Sequence, residues 1–481
     1  MLRLLTIMAV LVGACGRIDF DLLADGGGDG GSSCPSPSPG ERDGTRLVLA
    51  GTQFGDGSRW LNGYYDLQRD EPCQPVSWSD GNTYCVPTED AFGVFADASC
   101  SQPLAELFAC GQSMERYVAT ATQDACGVYS DEQLYNVGSA SATTSYYESV
   151  GGSCIGPFFI AGGEALYNVG AEVPVSDLAL VTTSDGTGSG ALALRSYVSS
   201  DGLVADDTLV DTALGLPCGA QLDGLGTTTC LPQTRSAEYL YGDASCAGAG
   251  YAAVDTSCSP TPLVEAPPTC ETPSDPDAFY SLLAPTVSPP AQLFATAGTT
   301  CEMVSPSSAD TLYDVAATPL PLAGVQLAIV PDACHRIELV RAAGDGASVT
   351  VAVYDSQLGS ICNVELAADG VMRCLPASTP LYAVFTDAQC TQPVNVAVVA
   401  FTPTCAAPPA PAYAEVLTGS GPCYGERIFA VGAEIDTPLY SQSGSDCESF
   451  APTFVDQSIT VYAVTTELDP TTFVTASTFH D

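Results

Sequence analysis

The chain has 481 residues, of which 56 are Asp or Glu and 13 are Lys or Arg, so its formal net charge is -43. All of the cations are arginine. A surface this acidic repels nucleic-acid phosphates and anionic lipid headgroups, which excludes nucleic acid as a partner and membrane docking by charge. Because 46% of the residues are hydrophobic and only 14% are charged, a disordered chain is excluded as well.

The N-terminus has the order of features of an export signal. Arg3 precedes an apolar run, Leu4–Val12, that is too short to span a bilayer, and small residues lead to Cys15. The sequence VGAC resembles the lipobox of bacterial lipoproteins, which signal peptidase II recognises. The resemblance implies that residues 1–14 are a signal peptide and that Cys15 is lipidated. An ordinary secretory signal with a chance cysteine is the alternative.

The residue after the cysteine bears on localisation. It is Gly16 rather than the aspartate that often retains such lipoproteins at the inner membrane. The resemblance therefore implies the outer membrane, at its periplasmic face or at the cell surface. No later apolar run reaches the length of a spanning helix, so the lipid is expected to be the only membrane contact.

Residues 15–44 are predicted to be a lipidated, flexible linker, because glycine, serine and Ser-Pro repeats dominate them. Their DGGGDGG stretch has spaced aspartates that make calcium a conceivable cofactor. It lacks the closing glutamate of an EF-hand loop, so a solvated linker is the preferred interpretation. We assign no metal site and no other cofactor.

The remaining chain is a three-fold repeat. The stretch CQPVSWSDGNTYC returns as CGAQLDGLGTTTC and as CNVELAADGVMRC, with the two cysteines twelve positions apart each time. The first three cysteines of each unit recur at intervals of 144 to 146 residues. A repeat of this kind has to be recognised before any local structure is assigned. We place the units at residues 45–190, 191–333 and 334–481.

Apart from Cys15 there are twenty cysteines, an even number that is typical of disulfides in an oxidising compartment. The first unit has Cys73, Cys85, Cys100, Cys110, Cys126 and Cys154; the second has Cys218, Cys230, Cys246, Cys258, Cys270 and Cys301; the third has Cys362, Cys374, Cys390, Cys405, Cys423 and Cys447; Cys34 and Cys334 are left over. We predict nearest-neighbour pairing in each unit: first with second across an Asp-Gly turn, third with fourth, fifth with sixth. If Cys34 and Cys334 pair, the N-terminal segment lies against the third unit.

The sequence pattern predicts an all-β fold. Strands such as SVTVAVYD alternate apolar and polar residues, Asp-Gly turns recur, and no helical periodicity follows the signal. Each unit divides into halves of about 70 residues, and six four-stranded modules favour a six-bladed β-propeller, whose ring hides the sheet edges. Three consecutive β-sandwich domains are the alternative.

Catalytic chemistry is restricted by the histidine count. Only His335 and His480 occur, which argues against a Ser-His-Asp triad and against a three-histidine zinc site. We expect His335 to pack structurally. No nucleotide-binding or zinc-protease motif stands in a supporting context. An enzyme is therefore the less favoured class.

Two sets of aspartates repeat at fixed places relative to the cysteines, namely Asp66, Asp211 and Asp355, then Asp97, Asp243 and Asp387. Calcium ligation or an acid pair for glycoside hydrolysis is one interpretation. The other is that each aspartate accepts backbone N–H bonds in a turn. We favour the second, because an active site usually breaks the symmetry of a repeat.

Aromatic residues gather in the first unit, at Trp60, Tyr64, Tyr65, Trp78, Tyr146 and Tyr147. Exposed aromatics beside acids are typical of sugar-binding faces, and buried strand aromatics are the commoner case. We expect most of these six to be buried.

The body resembles the uncharacterised cysteine-rich β-repeat lipoproteins of high-GC Gram-negative bacteria, a likeness that carries no site residues with it. Our leading hypothesis is a lipid-anchored surface binding or adhesion module whose partner is a glycan, a protein or a calcium-bridged matrix. A propeller-type extracellular enzyme that acts on saccharides through carboxylates is the second. A purely structural envelope protein is the third.

Overall fold

A computed structural model of the chain describes twenty stretches of it: residues 41–78, 80–87, 92–108, 116–123, 129–150, 153–160, 164–186, 190–220, 226–232, 238–247, 250–255, 263–266, 278–297, 300–305, 310–332, 334–401, 409–418, 425–443, 446–450 and 458–480. Within them the only helical segments are two 3₁₀ turns, Val175–Asp177 and Pro470–Thr472, and thirty-six strands make up the remaining regular structure. The expectation of an all-β protein is confirmed.

We number the strands in chain order and group them as three repeats. Repeat 1 begins with β1 (Leu47–Phe54), β2 (Arg59–Asp66), β3 (Glu71–Ser77), β4 (Thr83–Pro87), β5 (Phe92–Phe95), β6 (Pro103–Phe108), β7 (Tyr117–Gln123), β8 (Tyr129–Ala140), β9 (Ser145–Val150), β10 (Ser153–Phe159) and β11 (Glu164–Glu172). Repeat 2 comprises β12 (Ala179–Asp185), β13 (Leu192–Ser199), β14 (Val204–Asp211), β15 (Leu216–Ala220), β16 (Gly226–Pro232), β17 (Glu238–Tyr241), β18 (Gly250–Asp255), β19 (Leu263–Ala266), β20 (Ala278–Pro285), β21 (Leu293–Ala297), β22 (Thr300–Val304) and β23 (Asp310–Val315). Repeat 3 comprises β24 (Gly324–Val330), β25 (Ile337–Gly344), β26 (Ala347–Asp355), β27 (Ser360–Leu366), β28 (Met372–Pro376), β29 (Thr379–Phe385), β30 (Pro393–Phe401), β31 (Tyr413–Thr418), β32 (Gly425–Glu434), β33 (Tyr440–Ser443), β34 (Asp446–Ser449) and β35 (Ser458–Glu467), and β36 (Ala476–His480) ends the chain.

Residue patterns explain which strands are covered on both faces. Strand β1 begins with the continuous apolar run LVLA and is buried along nearly its whole length. Strand β24, GVQLAIV, instead alternates exposed and buried side chains over its first five residues. A strand buried on both faces has no polar side to keep in water, so its sequence loses the alternation.

Fifteen strands form a central sheet in the order β28-β27-β26-β25-β24-β16-β15-β14-β13-β12-β4-β3-β2-β1-β36. The C-terminal strand β36 pairs with β1, and the residues just before it return to β28, where Arg373 bridges Thr475 and Cys374 N–H donates to Val474 O at 2.9 Å. Backbone hydrogen bonds therefore connect both ends of the sheet. The three repeats contribute five strands each to a ring, and β36 completes the set of repeat 1.

Three hydrophobic clusters join the repeats of the central sheet. Each contains one of the disulfides Cys73–Cys85, Cys218–Cys230 and Cys362–Cys374, all of whose cysteines are at most 4% exposed. In the cluster between repeats 1 and 2, Leu47 and Leu49 pack with Leu203 and Ala205. The other two clusters unite repeats 2 and 3, and repeat 3 with Phe54 of repeat 1. The core is thus shared between repeats.

A turn aspartate from each repeat also forms hydrogen bonds with the start of a strand in another repeat, namely β1, β25 or β13. Each carboxylate accepts backbone N–H groups at the start of that strand, which leaves fewer unsatisfied donors at the junction. The contacts are Asp201 with Arg46 N (2.6 Å) and Leu47 N (2.9 Å), Asp56 with Arg336 N and Ile337 N (both 2.7 Å), and Asp345 with Ala191 N (2.8 Å). We call these three residues the junction aspartates.

Each repeat carries a peripheral set of five strands beside the central sheet. In repeat 3 the order β29–β30–β35–β32–β31 closes on itself, because β31 pairs in parallel with β29. The corresponding orders are β5–β6–β11–β8–β7 in repeat 1 and β17–β18–β23–β20–β19 in repeat 2. Among the described strands the closing pair is seen in repeat 3, and by analogy we refer to the three sets as barrels 1, 2 and 3. A two-stranded hairpin extends each one: β9–β10, β21–β22 and β33–β34.

This arrangement differs from a six-bladed propeller and from a row of three sandwiches. A propeller needs six separate four-stranded sheets, whereas the described strands form one sheet of fifteen and three of seven. Separate sandwiches would need a break between units, yet β12 pairs with both β4 and β13, and β24 pairs with both β16 and β25. In each repeat the leading strands build the ring, and the strands from β5, β17 and β29 onward build a barrel with its hairpin; ring strands β12 and β24 begin 12 and 10 residues before the predicted starts of units 2 and 3.

The cysteine pairs follow the prediction in part. The first and second cysteines of every unit are bonded, with Cα–Cα distances of 5.3, 5.2 and 5.3 Å. The third pairs with the sixth rather than with the fourth, as Cys100–Cys154, Cys246–Cys301 and Cys390–Cys447. The reason is tertiary: the hairpin folds back beside the turn that contains the third cysteine, so the sixth is its neighbour in space.

The other cysteines are only partly accounted for. The fourth and fifth of each unit (Cys110, Cys126, Cys258, Cys270, Cys405 and Cys423), with Cys15 and Cys34, lie outside the described residues. Cys334 is exposed and carries a free thiol among the cysteines that are described.

Candidate functional site

The first set of repeated aspartates closes turns inside the body. Asp66, Asp211 and Asp355 are 0%, 2% and 0% exposed. Each carboxylate accepts the backbone N–H groups of the residues two and three positions later, at 2.9 to 3.3 Å. Such bonds tighten the β-turn and satisfy donors that are otherwise buried. The structural interpretation of this set is confirmed.

Two of these turns contain a buried ion pair. Arg46 Nη2 lies 2.6 Å from Asp66, and Arg336 Nη2 lies 2.6 Å from Asp355. In repeat 2 the corresponding position, twenty residues before Asp211, is Ala191. The ion pair is therefore present in repeats 1 and 3 and absent from repeat 2.

The second set of repeated aspartates serves the turns beside the third cysteines. Asp97 accepts hydrogen bonds from Ser99 Oγ at 2.7 Å and from Ser101 N at 2.7 Å, and those from Ser101 and Ser99 hold its pKa well below the ordinary value. Asp243 accepts from Ser245 N at 2.9 Å, and Asp387 accepts from Thr391 N at 2.7 Å. These carboxylates are also engaged by their own turns.

No cluster of three His, Cys, Asp or Glu side chains suited to a metal ion occurs among the described residues. The DGGGDGG stretch lies outside them. Neither set of repeated aspartates therefore forms the ring of calcium ligands that was one interpretation of the sequence.

The aromatic residues of repeat 1 mostly pack against hydrophobic clusters. Trp60, Tyr64, Trp78 and Tyr146 belong to four different ones. Tyr65 is 4% exposed, and its ring stacks on His480 with centroids 3.9 Å apart. Tyr147 is half-buried and pairs across the sheet with Phe95. Tyr65 is therefore buried as expected, whereas the other five are half-buried.

The two histidines have structural surroundings. His335 Nδ1 lies 2.7 Å from the carboxylate of Asp332, three residues earlier, which tightens the loop before β25. His480 stacks on Tyr65, as described above, where β36 meets the first repeat.

Three glutamates of repeat 3 meet between the central sheet and barrel 3. Glu365 on β27 is hydrogen-bonded to Glu426 on β32, and Ser378 Oγ donates to Glu415 on β31. Burial, then the contact with Glu365 and the charge of Glu415, raise the pKa of Glu426 to about 9. Two carboxyl groups this close share one proton, because both cannot be charged at low cost.

The same place in repeat 1 is apolar. Val76 occupies the position of Glu365, three residues after the first cysteine, and it packs with Trp78, Leu134 and Ala119. The glutamate cluster thus breaks the three-fold symmetry. Its hydrogen-bonded carboxyls are closer together than the roughly 5 Å separation of a retaining glycosidase pair. This arrangement suits a proton-sharing structural contact better than glycoside hydrolysis.

A second departure from symmetry lies in barrel 2. Leu240 and Phe279 are 0% and 2% exposed, so alternation along strands β17 and β20 directs Tyr239, Tyr241 and Tyr280 to the opposite face. The Tyr239 ring centroid lies 5.1 Å from that of Tyr241 and 5.6 Å from that of Tyr280. We call these three half-buried residues the tyrosine cluster.

The surroundings of Tyr239 are adapted to its ring. A Cβ atom added to Gly250 would stand 2.1 Å from the Tyr239 hydroxyl oxygen, so the glycine lets the ring lie against strand β18. Burial, followed by the neighbouring Tyr241 and Tyr280, raises the pKa of Tyr239 to about 12. Its hydroxyl therefore stays neutral, able to donate and to accept a hydrogen bond.

This cluster is missing from the sequence-based predictions. Tyr239 stands seven residues before the third cysteine, where repeats 1 and 3 have Gly93 and Ala383. A comparison of the three units position by position would have revealed that aromatic residue as specific to repeat 2. Its contact with Tyr280, which is 41 residues later, depends on how strands β17 and β20 are brought together in space and has no sequence signal.

The observations so far define a class: an acidic, disulfide-braced, all-β protein built as a three-fold ring with peripheral barrels. Residues 30–473 match a family of unknown function, DUF7481, and the chain belongs to that family. No curated protein and no solved structure matches it. None of the described helical segments is long and apolar enough to cross a membrane.

Proposed function

We propose that the protein is a lipid-anchored binding module of the bacterial cell envelope, and that it holds a saccharide on the tyrosine cluster of barrel 2. The observation that carries this proposal is the grouping of the half-buried Tyr239, Tyr241 and Tyr280, of which Tyr239 stands at a position where the other repeats have no aromatic residue. Tyrosine supplies a large, rigid contact area with a polar end at low cost in side-chain entropy. Sugar C–H faces pack on such rings and sugar hydroxyls bond to the phenol oxygens.

The rest of the body supports a binding role more than a catalytic one. The repeated carboxylates are occupied by turns, and the described histidines are occupied by packing. Disulfides in every repeat fix the barrels and their hairpins, which keeps a surface site preorganised. The VGAC sequence supports acylation at Cys15 and a place at the outer membrane, and residues 15–44 are long enough to serve as a tether.

A glycan array tests the proposal. The full chain with Cys15→Ser, which avoids acylation, is applied with and without calcium. We expect saccharide binding that Tyr239→Ala reduces at least tenfold. Tyr382→Ala is the matched control, because Tyr382 is 37% exposed on strand β29 of barrel 3. Its loss is expected to leave binding unchanged.

Three outcomes would contradict the proposal. Silence on the array in both conditions favours a structural envelope protein. Binding that survives Tyr239→Ala, or that both variants weaken equally, removes the tyrosine cluster as the site. The enzyme hypothesis is tested on the same glycans by product analysis, with Glu426→Gln as the variant that should abolish any hydrolysis through the glutamate cluster.

A further inference from the structure

Strand β10 is an edge strand with an unusually apolar surface. It is the terminal strand of its seven-stranded sheet and pairs only with β9 among the described strands. Ile155, Phe158 and Phe159 on it are 39%, 38% and 75% exposed. Exposed apolar residues grouped on an edge strand indicate a contact surface, because monomeric proteins usually protect such edges with charged side chains.

The corresponding strands of the other repeats have that protection. The residue after the sixth cysteine is Ile155 in repeat 1, but Glu302 in β22 and Glu448 in β34. No charged residue occurs from Ser149 to Gly163, although the whole chain has a net charge of -43. Repeat 1 therefore lacks the negative charge that keeps hairpins 2 and 3 (β21–β22 and β33–β34) apart from like surfaces.

We propose that β10 is the contact surface between two copies of this chain. A basic partner gains nothing from an uncharged strand, whereas every other part of the acidic surface would attract it more strongly. Two copies related by a two-fold axis bring neutral strand against neutral strand. In this contact the uncharged strands meet, and the acidic surfaces of the two copies are not pressed against each other.

The geometry limits how the two copies meet. Pro157 has no N–H, and the pairing of β10 with β9 shifts register between Ile155 and Phe158. The contact therefore relies mainly on the three apolar side chains and not on a continuous backbone ladder. Once the two β10 edges face each other neither copy has a free β10 edge left, so assembly through this strand ends at a pair. A contact that relies on three side chains is small beside the roughly 800 Å² per partner of a stable complex, so we expect weak association that depends on protein concentration.

Sedimentation velocity of the full chain with Cys15→Ser, over about 1 to 100 μM, tests the inference. We expect a monomer–dimer equilibrium that Ile155→Glu and Phe159→Glu each weaken at least tenfold. Met303→Glu is the matched control, because Met303 is 63% exposed on the corresponding strand of hairpin 2. It is expected to leave the equilibrium unchanged.

A second measurement uses the chain with β10 unaltered, so that its result does not depend on whether a variant folds. Hydrogen exchange at low and high protein concentration should show added protection in peptides that cover β10 and its flanks. A monomer throughout the concentration range, a dimer that Met303→Glu weakens equally, or unchanged exchange at β10 would overturn the inference. So would flotation of the monomer with neutral phospholipid vesicles that Phe159→Glu abolishes, since the strand would then contact a bilayer. Saccharide binding through Tyr239 can succeed or fail independently of each of these results.

Discussion

The carboxylate of Asp355 is fully buried and receives two hydrogen bonds from Arg336, at 2.7 Å from Nε and 2.6 Å from Nη2. The pair connects the beginning of strand β25 to the end of β26. Arginine meets a carboxylate best in this two-pronged geometry, which fixes direction as well as distance.

Removing one partner of this pair should destabilise the fold strongly. Arg336→Ala leaves the Asp355 charge buried without its cation, and the expected loss is about 3 kcal/mol of unfolding free energy. Arg427→Ala is the control, because Arg427 and Glu467 form an ion pair whose side chains are 39% and 40% exposed. That pair should contribute less than about 1 kcal/mol. Urea unfolding measures both, and equal losses would contradict the prediction.

The junction aspartates should make the joining of repeats sensitive to acid. Burial opposes ionisation of Asp201, but hydrogen bonds from Ser199 and from the N–H groups of Arg46 and Leu47 outweigh it and hold its pKa below the ordinary value. A depressed folded pKa stabilises the protein above the unfolded value, about 4, and that stability is lost as pH falls through the folded pKa. Asp201→Ala should therefore lower the melting temperature at pH 7.

Measurements at acid pH distinguish the loss of the Asp201 charge from a general packing defect. As the pH is lowered below 4, the difference between wild type and Asp201→Ala should shrink, because protonation removes the same charge from the wild type. Calorimetry across this pH range measures it. A difference that stays constant with pH would mean that the carboxylate charge is not what holds the Arg46–Leu47 backbone.

The glutamate cluster predicts the opposite dependence on pH. Glu426 has a folded pKa of about 9 against an ordinary value of 4.5, so only the unfolded chain releases its proton between these values. The favourable contribution is complete below pH 4.5 and is lost as pH rises through about 9. Glu426→Gln should leave the melting temperature nearly unchanged at pH 4 and raise it at pH 8. Glu467→Gln, at an exposed pair with Arg427, should not raise it at either pH.

The disulfide connectivity can be read directly from the intact chain. Non-reducing peptide mapping should recover Cys100 with Cys154 and Cys73 with Cys85. Replacing Cys100 and Cys154 together by serine opens a loop of 54 residues, and the chain-entropy relation gives a loss of about 4 kcal/mol. A peptide that joins Cys100 to Cys110 would contradict the third-to-sixth pairing.

Local features of the fold were predictable from the sequence, and contacts between distant segments were not. The Asp-Gly turns bracketed by cysteines twelve residues apart predict the Cys73–Cys85 type of bond, because a hairpin brings its two ends together. The roles of Asp66 and Asp97 as turn acceptors are equally local. The Cys100–Cys154 bond depends on where a hairpin lies against a barrel.

The propeller prediction failed to match the strand order for a related reason. Alternating strands reveal that sheets exist, but the number of strands per sheet depends on which edges pair. Strand β36 joins β1 across more than 420 residues of sequence, from Phe54 and Ala476 to Ala50 and His480. The sequence of β36, ASTFH, contains nothing that predicts pairing with β1.

The position of β36 has a consequence for biogenesis. Strand β36 follows all the other described strands in the chain and lies between β1 and repeat 3, so a growing polypeptide holds two complementary gaps open until residues 476–480 arrive. Loss of residues 470–481 would leave both gaps unfilled while the other described strands stay intact. Proteolytic removal of this segment should therefore open the ring.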